Sequence, residues 1–281
     1  MSFLHDLLDL IVPETCAGCG RGGTALCGTC AVPLTLDPRP APLPVRPPGV
    51  RCWTVADYAG NVRKVINAHK EQGRTTLTRP LAAALTRALK ASLPPPAVPA
   101  QPTPPPSDRE LPPLRPGQIP PRDTPPTTPT EGLIRKPSKT SGQGTRSRRV
   151  VTGELTGSNL IHVIPVPSAR RAVRRRGDDP LLNVARTAVR TLTNEGLPLV
   201  LTTALRQTRP VADQAALSRT ERVANVKGAL TAAHPLDGAR VIVVDDIVTT
   251  GATLTEAVCT LHRAGAHVLA AATIAATTRT T

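Results

Sequence analysis

Asp245 and Asp246 stand side by side at the end of the apolar run Val241-Ile-Val-Val244, and Thr249-Thr-Gly-Ala-Thr253 follows after two residues. Paired carboxylates suit a diol, a metal-bound pyrophosphate, or both. The turn that follows suits an anion: the start of a helix leaves backbone N–H groups unpaired, and the helix dipole favours negative charge there. Gly251 lets backbone approach a ligand closely, and the hydroxyls of Thr249, Thr250 and Thr253 add donors around Ala252. The string is neither a Walker A loop, since no Gly-Lys-Thr follows, nor a three-glycine dinucleotide loop.

Two other stretches carry cationic chemistry. Pro165-Val-Pro-Ser-Ala-Arg-Arg-Ala-Val-Arg-Arg-Arg-Gly177 holds five arginines within seven residues, enough to meet several phosphate oxygens, often two at a time. A solvated basic surface or a nucleic-acid contact is the competing reading. From Leu205 to Gly228 the chain is polar and basic, as expected of a mobile lid that closes over a charged substrate. Gln214, Ser218, Arg219, Arg222, Asn225 and Lys227 are the candidates to face the site, against the alternative of a surface helix of alternating charge.

Cys16-Ala-Gly-Cys19 and Cys27-Gly-Thr-Cys30 form two C-x-x-C pairs seven residues apart, each with a glycine that permits a tight knuckle. Four thiolates so spaced match a tetrahedral Zn2+ site. With every ligand position filled by protein, the expected role is structural. Cys52 and Cys259 stand alone, and Cys259 reads as a small core residue of a helix.

The elements that must position these groups follow from periodicity. Val62, Val65, Ile66 and His69 recur at helical spacing before a Gly73 stop, and Leu81, Ala84, Leu85, Ala88 and Leu89 repeat the pattern. Beyond residue 158, strands and helices alternate: a strand at 160–164, a helical stripe from Leu181 to Leu192, strands at 197–201 and 241–244, a helix through Leu254, Val258 and Leu261, and a strand at 268–274. That alternation implies an α/β fold with a mostly parallel sheet flanked by helices. Phe3, Leu4, Leu7, Leu8 and Ile11 fit one face of a short docking helix, not a signal peptide.

The stretch from Pro94 to Pro137 holds 17 of the 32 prolines. With the Thr, Ser and Gly that continue to about residue 158, it cannot bury enough apolar surface to offset its ordering entropy and is expected to be a disordered insertion. The expected organisation is therefore an N-terminal helix and four-cysteine module (1–50), the first part of the main domain (51–93), the insertion (94–158) and the domain core (159–281). No apolar run reaches the length of a membrane span, and the expected location is the cytoplasm. A net charge of +15 favours polyanionic ligands. Only one Phe, one Trp and one Tyr are present, which disfavours base stacking on single strands.

Taken in order, the cysteine knuckle, Tyr58-Ala-Gly-Asn-Val-Arg-Lys-Val-Ile-Asn-Ala-His-Lys70, Val163-Ile-Pro-Val-Pro167, Arg176-Gly177, Gln214–Arg222, Asn225–Gly228 and the Asp-Asp-Ile-Val-Thr-Thr-Gly string resemble the ComF family. Its members combine a zinc-binding N-terminus with a type I phosphoribosyltransferase-like domain. Where the family has a Phe-Asn-Gln-like segment after Arg-Gly, this chain has Asp178-Asp-Pro180. The resemblance implies that Asp245 and Asp246 hold ribose hydroxyls and that residues 249–253 cradle a 5-phosphate. It implies that Ser168, Arg170 and Arg171 meet pyrophosphate, and that Mg2+ accompanies phosphoribosyl diphosphate. It also implies the alternative of a non-catalytic nucleic-acid-binding factor whose partners are single-stranded DNA or DNA-uptake proteins, and a third, a phosphoribosyl-diphosphate sensor without turnover.

Overall fold

A computed structural model describes residues 14–94, 159–168, 177–209 and 224–278. The expected N-terminal helix at 3–11 and the Pro-rich insertion beyond Pro94 lie outside them. Among the described residues no helix is long and apolar enough to cross a membrane.

The central sheet has six strands, β1 (Arg39–Pro40), β2 (Arg51–Asp57), β3 (Ile161–Pro165), β4 (Leu199–Leu201), β7 (Arg240–Val248) and β8 (His267–Ala276), in the order β1-β2-β8-β7-β3-β4. Every pairing is parallel except that of β1, which runs antiparallel to β2 at the edge. Pro40 is tolerated there because an edge strand does not need every N–H in the ladder. A separate antiparallel pair is formed by β5 (Leu205–Gln207) and β6 (Leu230–Ala232).

Among the described residues, five α-helices accompany the strands: α1 (Gly28–Ala31), α2 (Gly60–Gln72), α3 (Thr78–Ser92), α4 (Pro180–Asn194) and α5 (Ala252–Arg263). Both faces of the sheet are covered, which explains the β-branched run in β7. Ile242 and Val244 enter one core with Leu81, Leu85 and Leu89 of α3 and Val184 of α4. Val241 and Val243 enter the other with Leu254, Val258 and Leu261 of α5. Strand alternation sends successive side chains to opposite faces, so a strand covered twice must be apolar at every position. The alanines of β8 let α3 pack close to the sheet in a chain with almost no aromatic residues.

Two features went unread in the sequence. Trp53 and Thr54 of β2 lie in the centre of a seven-residue strand that pairs with β8 from Arg51↔Ala270 to Asp57↔Ala276. The β5–β6 pair joins the two ends of the expected lid segment, with Leu205 opposite Ala232 and Gln207 opposite Leu230. Lid candidates Gln214, Ser218, Arg219 and Arg222 lie outside the described residues, as do Arg170 and Arg171 of the basic loop.

Candidate functional site

From β3 the chain crosses through α4 to β4 on one side, and from β7 it crosses through α5 to β8 on the other. The connections therefore diverge between β3 and β7. In open parallel sheets such a switch point opens a crevice at the carboxyl ends of the two strands, where ligands bind. The acid pair lies there. β3 stops at Pro165, opposite Val244, so the β3 side of β7 is unpaired from Asp245 onward. On the other side the ladder continues, with Asp245 opposite Thr273 and Ile247 opposite Ala275. The strand is thus longer than its apolar core implies: ten-residue β8 carries the backbone pairing of β7 through both acids to Val248.

The two carboxylates are held differently. Asp245 Oδ1 accepts from the Asp246 amide at 2.9 Å, and Asp246 Oδ1 accepts from the Ile247 amide at 2.8 Å. Burial holds the Asp245 carboxyl well above its ordinary range, the Asp246 charge adds to this, and Lys70 opposes it. Asp246 Oδ2 meets the Lys70 ammonium at 2.8 Å. Burial would lower the Lys70 value, but Asp246 and Asp245 more than compensate and hold it above the usual lysine value. Beside the pair, burial pushes the Cys52 thiol up to about 12, helped by the Asp245 charge and opposed by the Thr273 hydroxyl. Cys52 is therefore a neutral core thiol at physiological pH. Cys259, on α5, is half-buried.

The turn after β7 meets the helix as expected. Gly251 caps α5 with φ 88°, and no side chain caps that end; the Ala252 amide has only the Thr250 hydroxyl, at 3.4 Å. The Thr255 amide makes the first helical bond, to the Gly251 carbonyl. Thr250, Gly251 and Ala252 are buried, while Thr249 and Thr253 are half-exposed. One side of the turn is sealed by the segment before β2: Val45 donates to the Thr250 carbonyl at 2.9 Å, and a side chain at Gly251 would meet the Val45 carbonyl oxygen at 2.1 Å. Glycine is required here twice over, by φ and by contact.

Ser168 donates its hydroxyl to Asp179 Oδ1 at 2.8 Å. Asp179 is the N-cap of α4, accepting from the Leu182 amide at 3.3 Å, with Pro180 at the first helical position. The Asp178-Asp-Pro180 segment thus builds a helix start. Asn225 is half-buried and Lys227 exposed near the base of the β5–β6 pair, where Arg209 donates to the Lys227 carbonyl at 2.9 Å.

The four cysteines form a second centre. Their sulfurs all lie within 4.8 Å of one another, and Cys19 and Cys27 are 3.7 Å apart. A tetrahedron with metal–sulfur bonds of about 2.3 Å has sulfurs about 3.8 Å apart, so the set fits a metal ion of that kind. The first knuckle closes through Gly20 N–H to the Cys16 carbonyl, and the second through Ala31 N–H to the Cys27 carbonyl. Burial tends to raise the Cys16 thiol, but hydrogen bonds from the Cys27, Cys19 and Gly18 backbone outweigh it and bring it down to about 6. Burial and the neighbouring sulfurs push Cys30 up to about 12. Four sulfurs this close could hold a metal ion as thiolates.

Gly18 has an ordinary backbone but no room for a side chain: a Cβ would stand 2.7 Å from Cys30 Sγ and 2.9 Å from Cys30 Cβ. Gly18→Ala is expected to displace one ligand and weaken metal retention by about tenfold or more, the scale of disturbing a ligand's support. Competition with a chromophoric chelator measures it, and retention equal to the parent protein would refute the packing argument.

Lys70, Asn61 and the Val45 segment were not assigned to any site from the sequence. Lys70 closes the Tyr58–Lys70 run, and that run was the available signal. Comparison with curated proteins finds no match for the chain. The model of the phosphoribosyl transferase domain matches residues 170–281, a span that contains the acid pair and the turn after it, so this region carries a phosphoribosyltransferase-like fold.

Proposed function

We propose that the chain binds phosphoribosyl diphosphate with Mg2+ at the β7–α5 junction and transfers the phosphoribosyl group to an acceptor. The observation that carries this reading is the acid pair at the switch point, directly ahead of a helix start whose N-cap is the glycine Gly251. Asp245 and Asp246 hold the ribose hydroxyls, and residues 249–253 take the 5-phosphate. In the transfer, the C1–oxygen bond to pyrophosphate breaks, with its electron pair leaving on the pyrophosphate. A bond forms from C1 to a nucleophilic nitrogen or oxygen of the acceptor, which gives up a proton. Mg2+ bound with the substrate would supply charge compensation for the pyrophosphate, and Asp245 and Asp246 stabilise positive charge developing at C1. Ser168, Arg170 and Arg171 meet the pyrophosphate, and the segment between β5 and β6 closes over it.

The same reading gives the cysteine module a structural Zn2+, the chain a place in the ComF family, and the protein a reducing, cytoplasmic setting. A second reading, a nucleic-acid-binding factor of DNA uptake, is favoured by the +15 charge. Salt dependence separates the two. Backbone-tracking affinity falls steeply with salt and survives loss of the acids, whereas phosphoribosyl-diphosphate affinity requires Mg2+ and both carboxylates.

Calorimetry with phosphoribosyl diphosphate and Mg2+ tests the proposal on the parent protein and on Asp245→Asn/Asp246→Asn. Absence of binding to the folded parent protein rejects it. Asp245→Asn alone also has a stability signature. A carboxyl raised by folding is penalised once pH exceeds its unfolded value of about 4, and the penalty grows until its folded value is passed. Asp245→Asn, which keeps the acceptor for the Asp246 amide, should therefore raise Tm at pH 7. The gain should vanish below about pH 4, while ligand binding is lost at pH 7. A lower Tm at pH 7 would show that the Asp245 charge is not strained in the fold.

A further inference from the structure

Helix α2 stands between the two centres. At its start, Asn61 Nδ2 donates to Cys30 Sγ at 3.4 Å. Lys64, Asn67 and Gln72 of the helix and its exit line a cleft of about 510 Å3 whose opposite wall is Cys16–Gly20. Just past the helix, Arg74 donates to the Thr15 carbonyl at 2.5 Å. Near its far end, Lys70 Nζ meets Asp246 Oδ2 at 2.8 Å, with the Asp246 side chain only 14% exposed. Asn61 and Lys70 are nine positions apart, which on a helix of 3.6 residues per turn is about 13 Å along the axis and about half a turn around it. One face of α2 thus addresses the sulfur cluster and the other the acid pair. The helix cannot slide between them freely, because Val62, Val65, Ile66 and Ala68 are buried in the main core.

We propose that Lys70 is a positioning residue of the sugar-phosphate site, and that the metal-held cysteine module fixes it there through α2. This rests on the reading that phosphoribosyl diphosphate binds at the acid pair. Lys70 lies outside the matched span 170–281, so the site is completed by the part of the chain that also carries the module. Its ammonium orients one Asp246 oxygen and leaves the other on the Ile247 amide. Without its metal the module no longer holds Cys30 against Asn61 at the start of α2, and the helix then rests on its core contacts alone, which fix Lys70 against Asp246 less closely.

The test is calorimetry of the full chain with phosphoribosyl diphosphate at fixed Mg2+. It compares the parent, Lys70→Met and Lys70→Arg, each metal-loaded and each stripped by chelation, with Mg2+ restored after the chelator is removed. Circular dichroism melts establish that each sample is folded; Lys70→Gln replaces Lys70→Met if the latter does not fold. We expect Lys70→Met to weaken binding by about tenfold or more, the scale of removing one partner from a partly buried charge pair. Lys70→Arg should recover most of that loss. Stripping should weaken the parent several-fold and Lys70→Met no further, because the two changes act on one contact. Parent-like affinity in Lys70→Met overturns the role of Lys70. Equal losses on stripping in the parent and in Lys70→Met, or none in the parent, overturn the link to the module. A parent protein that does not bind at all removes the underlying site instead, which is a different result from either.

Discussion

Gly251→Ala is expected to abolish phosphoribosyl-diphosphate binding and to lower Tm by about 5–10 °C. Two costs add. An L-residue at φ 88° is strained by about 1–2 kcal/mol relative to glycine. The new methyl would also stand 2.1 Å from the Val45 carbonyl oxygen and 3.4 Å from Leu43 Cδ1. A backbone carbonyl cannot step aside as a flexible side chain does, so either the turn or the 43–50 segment must move, and the Val45 N–H bond to Thr250 breaks. Together these come to about 3 kcal/mol, which for a domain of this size corresponds to the stated drop. Binding suffers more than stability, because a turn displaced by even 1 Å no longer points the amides and the Thr249 and Thr253 hydroxyls at one phosphate.

Gly265→Ala is the matched control. That residue also has a left-handed backbone, φ 87°, and its Cβ would meet Asp237 Oδ1 at 2.2 Å. It follows α5 at the end remote from the acid pair. A comparable loss of Tm with binding intact is expected there. If Gly251→Ala bound the ligand as the parent does, or if Gly265→Ala lost binding to the same extent, the turn at 249–253 would not be the phosphate cradle.

How much of this was legible in the sequence depends on whether local pattern or tertiary contact decided the residue. The strand of four β-branched residues was readable from a local rule, double-sided burial, whereas Gly251 was readable only as room for a ligand, and its φ and its contact with Val45 emerge in the fold. Even there the strand ended four residues later than its apolar run, because β8 continues the ladder past Val244 while β3 does not. Strand β2 was missed because Arg51-Cys-Trp-Thr-Val-Ala-Asp57 lies between a Pro-rich run and a helix and shows no clear alternation; its β identity comes from the edge of β8 that it covers. Lys70 and Asn61 could not be assigned by spacing. Both are ordinary polar positions on an amphipathic helix, and their partners, Asp246 and Cys30, are 176 and 31 residues away in sequence. The steric need for glycine at Gly18 is of the same kind, since Cys30 arrives from the other knuckle.

On the reading that a structural metal ion fills the cysteine set, removing it should unfold residues 14–31 while the sheet keeps its structure. The module has almost no core of its own: its buried cluster consists of Cys16, Cys27 and Cys30, with Leu26 packed against them. Burying Leu26, Ala17 and Ala25, which pack on the main core, contributes about 3 kcal/mol at most. Ordering some eighteen residues costs several times that, at about 1 kcal/mol or more each. A tetrathiolate metal site supplies on the order of 10 kcal/mol, so on the proposed reading a bound metal would decide whether the knuckles form. The sheet is different: Ile242 and Val244 with Leu81, Leu85 and Leu89 form an apolar cluster that needs none of the cysteines. Hydrogen exchange on the metal-loaded and chelated protein measures both regions at once. Amides closed in the knuckles, such as those of Gly20 and Ala31, should lose protection by about a thousandfold or more, equivalent to about 4 kcal/mol. Those of β7 and β8 should change little. Cys30→Ser should reproduce the chelated pattern, since Cys30 is buried against Gly18 and no other side chain can take its place in the set. Knuckle protection that survives verified metal loss would mean that the four sulfurs are held by something other than an ion.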